Sequence, residues 1–274
     1  MVIKKVWAVF FSPTGGTKKY TVNLAQAAAE SLGAEMEEYD YTLPEAREKV
    51  LEFKEGELVV IGTPVYAGRV PNKLIGFVQN NFKGNGALGV PVAVYGNRSV
   101  DNGLIELRIE MENNGFHTIA GAALVSQHVM SDIMAVGRPD EADVEYIRGF
   151  GKKVAEKAVA LTEYPEPIAV KGIEPVPAYY TPLDENGQPA KFLKAKPVTD
   201  AEKCTECGIC AAVCPVGSIN KDNVFEVPGV CIKCQACVRK CPEDAKHFTD
   251  PVMLSHIKML ETNYAARKEN EVFI

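Results

Sequence analysis

Eight cysteines, all between positions 204 and 241, carry the most specific chemical signal in this 274-residue chain. They fall in two runs, Cys204-x-x-Cys207-x-x-Cys210-x-x-x-Cys214-Pro215 and Cys231-x-x-Cys234-x-x-Cys237-x-x-x-Cys241-Pro242. Three cysteines at this spacing let one short loop meet three corners of an iron–sulfur cubane, while a fourth, after a turn and before a proline, points away from it. A zinc ribbon would use two C-x-x-C pairs and leave four cysteines unemployed. A disulfide knot conflicts with the N-terminus Met-Val-Ile-Lys-Lys-Val-Trp, which lacks the order and length of a secretion signal. No apolar run approaches the ~18 residues that span a bilayer, so the expected compartment is the cytoplasm, where cysteines serve as metal or redox ligands.

The doubled run resembles the bacterial two-cluster ferredoxins. That resemblance implies two [4Fe-4S] clusters, the first held by Cys204, Cys207, Cys210 and Cys241 and the second by Cys231, Cys234, Cys237 and Cys214. No thiol is left over. Ile209, Val213, Val216 and Ile219 in one half answer Ile232, Val238 and Ala245 in the other, and would keep water from the clusters. Lys233, Arg239 and Lys240 border the second half, either as an attraction for an acidic partner or as a solvated face. So small a segment needs the clusters as staples as well as redox groups.

A second candidate site opens at Ser12-Pro13-Thr14-Gly15-Gly16-Thr17, which follows an apolar run and precedes a helical pattern. Hydroxyls and backbone N–H groups at a helix N-terminus suit an anion. The Gly-Lys-[Ser/Thr] ending of a nucleotide P-loop is absent. Ser12, Thr14, Gly15 and Thr17 match the phosphate loop of flavodoxins, and the resemblance implies FMN; Gly16 stands where that family often has Asn. In a flavodoxin-like sheet the ligand lies at the carboxyl ends of adjacent strands. Thr63-Pro64-Val65-Tyr66-Ala67-Gly68 resembles the second flavin loop and Tyr95-Gly96-Asn97-Arg98 the third, with Tyr66 and Tyr95 placed either to stack on the ring or to pack in the core. Arg98 has two candidate partners, the flavin's electron-rich end and Asp101. Ser126, Gln127 and His128 follow the fifth strand at the same edge, with His128 either structural or functional. Gly84-Asn85-Gly86-Ala87-Leu88-Gly89 spells G-x-G-x-x-G but precedes a strand, so it reads as a turn.

The elements that must position these loops alternate along residues 1–161. Strand-like runs at Ile3–Phe11, Glu35–Tyr41, Leu58–Gly62, Val90–Tyr95 and Thr118–Val125 are separated by helical patterns at Thr17–Leu32, Pro44–Phe53, Asn72–Asn80, Leu104–Asn114 and Glu141–Leu161. Five such repeats predict an α/β fold, a flavodoxin-like doubly wound five-stranded parallel sheet that binds FMN. Seven of the 17 prolines fall in residues 162–197, giving a Pro-rich linker over 162–196. A small α+β two-cluster ferredoxin domain follows over 197–250. Over 251–274 come a surface helix, with apolar Met253, Ile257, Leu260 and Tyr264, and a tail. Apolar residues at 46% and charged residues at 24% suit a globular protein. With 30 basic against 36 acidic residues, spread evenly, a nucleic-acid-binding face is disfavoured.

Taken together the chain resembles the fusion proteins of anaerobic bacteria and archaea that join a flavodoxin domain to a two-cluster ferredoxin domain. The resemblance implies intramolecular electron transfer between two [4Fe-4S] clusters and FMN, linking one-electron and two-electron partners, with a ferredoxin-type protein as donor or acceptor. The rival readings are a flavin-dependent NAD(P)H or quinone-type reductase, which no dinucleotide motif supports, and a redox sensor, which no DNA-reading element supports.

Overall fold

The computed structural model describes residues 1–274. Strands β1 (Lys5–Phe10), β2 (Glu35–Asp40), β4 (Glu57–Pro64), β6 (Leu88–Tyr95) and β8 (Gly121–Val125) are parallel in the order β2-β1-β4-β6-β8. This is the flavodoxin order 2-1-3-4-5. The inner strands are apolar on both faces, as burial between helix layers demands. Successive residues alternate sides: Val6 and Ala8 of β1, with Leu58 and Val60 of β4, face a core shared with α1 (Gly16–Leu32) and α4 (Glu141–Ala160). Val9, Val59 and Ile61 face the opposite core, which holds Val78 of α2 (Ile75–Asn81) and Leu107 of α3 (Gly103–Asn113). Helices α1 and α4 pack tightly at Gly151, where a Cβ would lie 2.5 Å from Leu24 O.

Two expected elements are corrected. The helix expected over Pro44–Phe53 is a single 3-10 turn, Pro44–Arg47, followed by the short strand β3 (Leu51–Glu52) paired with β5 (Phe82–Lys83). Leu51 and Phe53 alternate with period two, and buried Phe53 meets Trp7 edge-on at 5.4 Å between ring centroids, so strand pairing wins over the helical pattern. The fifth strand divides into β7 (His117–Thr118) and β8, and its register against β6 slips by one residue between them. Pro91 lies opposite this break and has no N–H for a continuous ladder.

The rest of the chain is laid over this sheet. Residues 162–197 form no helix and run along the surface, tied by Ile168 N to Thr118 O (3.1 Å), Ile173 N to Asn102 Oδ1 (2.9 Å) and Tyr180 N to Ala67 O (2.8 Å). The cysteine segment closes with β9 (Val198–Thr199) antiparallel to β10 (Lys246–His247). Its two halves repeat in backbone form: each has a short helix, α5 (Ile209–Ala212) and α6 (Ala236–Arg239), and positive φ recurs at Glu206 and Lys233, at Gly208 and Gln235, and at Gly217 and Asp244. Helix α7 (Pro251–Tyr264) is capped by Asp250 and buries Met253, His256, Met259 and Leu260. The tail then returns to the first domain, where β11 (Glu271–Phe273) adds antiparallel to β8. No helix is long and apolar enough to cross a membrane.

Candidate functional site

The crossed cysteine sets are gathered in two separate cavities. Cys204, Cys207, Cys210 and Cys241 line one; Cys214, Cys231, Cys234 and Cys237 line the other, within an apolar shell that includes Ile219, Val227 and Phe248. Backbone N–H groups donate to sulfur at matching places: Glu206 N to Cys204 (3.4 Å) and Lys233 N to Cys231 (3.4 Å), then Ser218 N to Cys214 (3.2 Å) and Ala245 N to Cys241 (3.3 Å). Such bonds favour the thiolate and tune a bound cluster. Burial, reinforced by neighbouring sulfurs, pushes the thiols of Cys234 and Cys237 up to about 12. That cost of burial is offset when a cationic core binds the sulfurs, as an iron–sulfur cluster does.

A larger cavity of about 470 Å³ lies at the carboxyl edge of the sheet. That size suits a small-molecule cofactor. The first loop contributes Thr14, Gly16 and Thr17; the second contributes Pro64, Val65, Tyr66, Ala67 and Gly68; the third contributes Tyr95, Gly96 and Arg98. At the start of the 17-residue helix α1, Ser12 Oγ accepts from Lys18 N (2.9 Å), while the N–H groups of Gly16 and Thr17 have no protein acceptor and remain for an anion. A Cβ at Gly16 would stand 2.3 Å from Ser126 Oγ, so a larger residue such as the Asn common in flavodoxins would need that hydroxyl to swing away. The size of this cavity and its lining by all three expected loops fit a flavin cofactor.

Four of the expected flavin-site residues stand back from this cavity. Ser12 and Gly15 shape the helix start, and Thr63 is fully buried, with Oγ1 donating to Pro64 O (3.2 Å). Asn97, also fully buried, gives its amide to the tail: Nδ2 donates to Tyr264 O (2.6 Å) and Ala266 O (2.9 Å), and Oδ1 accepts from Lys268 N (3.3 Å). Arg98 pairs with Asp101 and lies 4.0 Å from the Tyr180 ring centroid. His128 borders the cavity against Gly96, and burial, with repulsion from His256, Arg98 and Arg239, holds it down at about 4, so it is neutral near pH 7.

The remaining walls come from regions that the loop pattern does not reach. The linker supplies Tyr179, Tyr180, Phe192 and Leu193, α7 supplies His256 and Leu260, and the second cysteine run supplies Val230, Cys231, Ile232 and Lys233. The Tyr-Tyr pair and Lys-Phe-Leu-Lys inside a Pro-rich stretch are the only traces of this in the sequence. The basic residues beside the second half turn inward: Arg239 donates to Val129 O (3.0 Å) and Ser131 O (2.9 Å) and pairs with Asp132, and Lys233 Nζ donates to Leu193 O (2.5 Å). Of the three, Lys233 is half-buried, whereas Arg239 and Lys240 are both exposed. Burial, with the nearby sulfurs of Cys234 and Cys231, raises the Tyr66 phenol well above its ordinary value.

Residues 196–242 match the model of a 4Fe-4S dicluster domain. Over 50 residues, 18% of this chain, the sequence is 36% identical to pyruvate synthase subunit PorD of Methanothermobacter marburgensis, and the chain spans 60% of that relative's length. Among solved structures, a flavodoxin from the domain Archaea is 16% identical with a TM-score of 0.40, covering 57% of this chain and 99% of its own. A flavodoxin of Streptococcus pneumoniae TIGR4 is 18% identical with a TM-score of 0.39, covering 56% and 99%. Rubredoxin oxygen:oxidoreductase of Desulfovibrio gigas is 15% identical with a TM-score of 0.40, covering 58% of this chain and 38% of its own. The strand order and the dicluster match together make the chain an iron–sulfur electron-transfer protein in which a flavodoxin-like domain is joined to a ferredoxin domain.

Proposed function

We propose that the chain is an intramolecular electron relay: Cys204, Cys207, Cys210 and Cys241 hold one [4Fe-4S] cluster, Cys214, Cys231, Cys234 and Cys237 hold a second, and the three loops of the sheet edge hold FMN. The observation that carries this reading is shared lining: Cys231 and Ile232 border both the second cysteine cavity and the 470 Å³ cavity. One loop is therefore a wall common to both sites, and an electron passing between them would cross that loop. Clusters exchange single electrons and a flavin takes up one or two, so the pair can join one-electron to two-electron partners.

The chain's own residues have definable tasks. Thr14, Gly16 and Thr17 would bind the phosphate through hydroxyl and N–H groups. Tyr66, between the flavin loops and Cys231, would hold one face of the ring and exclude water from the gap. Arg47 bonds Pro215 O, next to Cys214, and Ile232 packs against the core cluster that includes Phe11 and Tyr41, so the second cysteine set is pinned against the sheet domain. Redox partners are ferredoxin-type proteins.

The test is an anaerobic titration of the reconstituted protein, followed by visible absorption, with NADH or NADPH added first and reduced ferredoxin second. Bleaching only after the ferredoxin supports the relay. Rapid bleaching by pyridine nucleotide alone overturns it in favour of a reductase.

A further inference from the structure

The flavin-sized cavity opens to solvent beside two apolar side chains held next to each other. Leu193 is 86% exposed and Val230 is 63% exposed, and both border the cavity. Neither stands on a loose segment. Lys233 Nζ donates to Leu193 O (2.5 Å) and Cys231 O (3.0 Å), and Lys196 Nζ donates to Val227 O (2.6 Å) and Pro228 O (3.2 Å). Two lysines thus staple the end of the linker to the loop that leads into Cys231, and present a preorganised apolar step one residue before a cluster-ligand position.

Basic side chains flank this step, while Asp250 acts on Lys233 from nearby. Lys191 and Lys194 are exposed on either side of Leu193, and Lys73 borders the cavity from the opposite loop. No Asp or Glu lines the cavity, in a chain whose acidic residues outnumber its basic ones by 36 to 30. The rim beside the other cysteine set is more acidic: Glu202, Glu206, Glu243 and Asp244 are all exposed there, with Lys203 exposed among them. An apolar centre flanked by exposed basic side chains is the pattern of a protein-docking patch, with those charges steering a partner of opposite sign.

We propose that the lip formed by Lys191, Leu193, Lys194 and Val230 is the docking surface for an acidic one-electron carrier protein, which passes its electron across Val230 to the second cysteine set. The inference rests on the cluster reading above and adds the port and the partner's charge. The reduced carrier loses one electron and the cluster on Cys214, Cys231, Cys234 and Cys237 gains it; no bond is made or broken and no proton moves.

The experiment is stopped-flow mixing of the full, cluster-loaded chain with a chemically reduced, acidic two-[4Fe-4S] ferredoxin, following iron–sulfur bleaching from low to high salt, with dithionite as a small-molecule control. The expected second-order rate falls with salt. The double variant Lys191→Glu, Lys194→Glu lowers it about tenfold or more at low salt and flattens the salt dependence, with dithionite reduction and iron content unchanged. A double variant that reacts with ferredoxin at the parent rate overturns the proposal. So does a rate that responds to Glu202→Lys, Glu206→Lys while ignoring the lip, since the carrier then docks beside the first set. In a preparation that binds no flavin the same outcomes are read on the iron–sulfur band, so failure of the flavin reading is separable from failure of the lip.

Discussion

The two cysteine sets share one local architecture and differ in what is packed against them. Each has a short helix, the same three left-handed backbone positions and the same pair of N–H···S bonds. Yet Cys207 of the first set is exposed, whereas Cys234 and Cys237 of the second are buried and their half is fastened to the sheet domain through Arg47, Ile232 and Arg239. The repeat shapes the thiolate cages, and the neighbours assign the roles: one cage faces solvent, the other faces the cavity. Sequence duplication with unequal docking would give the proposed relay a polarity without any change in ligand chemistry.

Breaking one cage at a time gives the largest expected effect. Cys214→Ala, although it lies in the first run, removes a ligand of the second set, so iron content falls from about eight to about four per chain and electrons from ferredoxin no longer reach the flavin. Cys241→Ala damages the solvent-facing set instead. Iron analysis with anaerobic flavin bleaching checks both, and loss confined to the first set in Cys214→Ala refutes the crossed ligand scheme.

Acid sharpens the contrast from the docked side. His128 sits beside Arg239, Arg98 and His256 and is held down at about 4 against an ordinary 6.5. Between those values the unfolded chain binds a proton that the folded chain refuses, so stability is full above pH 6.5 and declines as pH falls toward 4. The loss is about 1.4 kcal/mol by pH 5.5 and about 3 kcal/mol at the acid end. Urea midpoints at pH 7.5 and 5.5 read it, and His128→Phe removes most of the difference; an equal slope in both proteins rejects the assignment.

Much of this arrangement was legible in the residues themselves, for physical reasons. Parallel strands buried on both faces, such as Leu88–Tyr95, must be continuous apolar runs, and cluster loops must keep fixed cysteine spacing, so both announce themselves locally. Pro44–Phe53 misled because a helical spacing of apolar residues also places Leu51 and Phe53 on one face of a strand, and only the partner Phe82–Lys83 decides between them. The tail strand Glu271–Phe273 is too short to signal by period, and its place depends on Asn270 accepting from Val125 N (2.8 Å) and donating to Asp143 Oδ1 (2.8 Å). Inward docking of Arg239 and Lys233 was equally hidden, because a charge run shows its sign but not the carbonyls that await it.

Loosening the docked half without touching a sulfur tests whether docking, rather than cluster chemistry, separates the two sets. Ile232→Ala strips a half-buried side chain from the contact with the sheet core, at a cost of about 2 kcal/mol. Iron content stays at the parent level while flavin reduction through the clusters slows. Limited proteolysis and stopped-flow bleaching check this, and a parent-like rate shows that the remaining contacts suffice.

The smallest expected effect falls on the cavity alone. Thr14 lines it at the loop that leads into α1, beside the unpartnered N–H groups of Gly16 and Thr17 in the region proposed for the phosphate. Thr14→Val keeps the shape and removes one hydrogen bond, so FMN binding weakens by about 1 kcal/mol, about fivefold in Kd, since the backbone donors and the helix N-terminus continue to hold the anion. Both cysteine cages lie on other loops, so iron content and the rate of cluster bleaching by ferredoxin stay at parent values. Titration of the flavin-free protein by quenching of FMN fluorescence reads the constant directly. An unchanged Kd removes Thr14 from the phosphate site, whereas a loss far beyond tenfold means that the loop depends on this hydroxyl for its own fold.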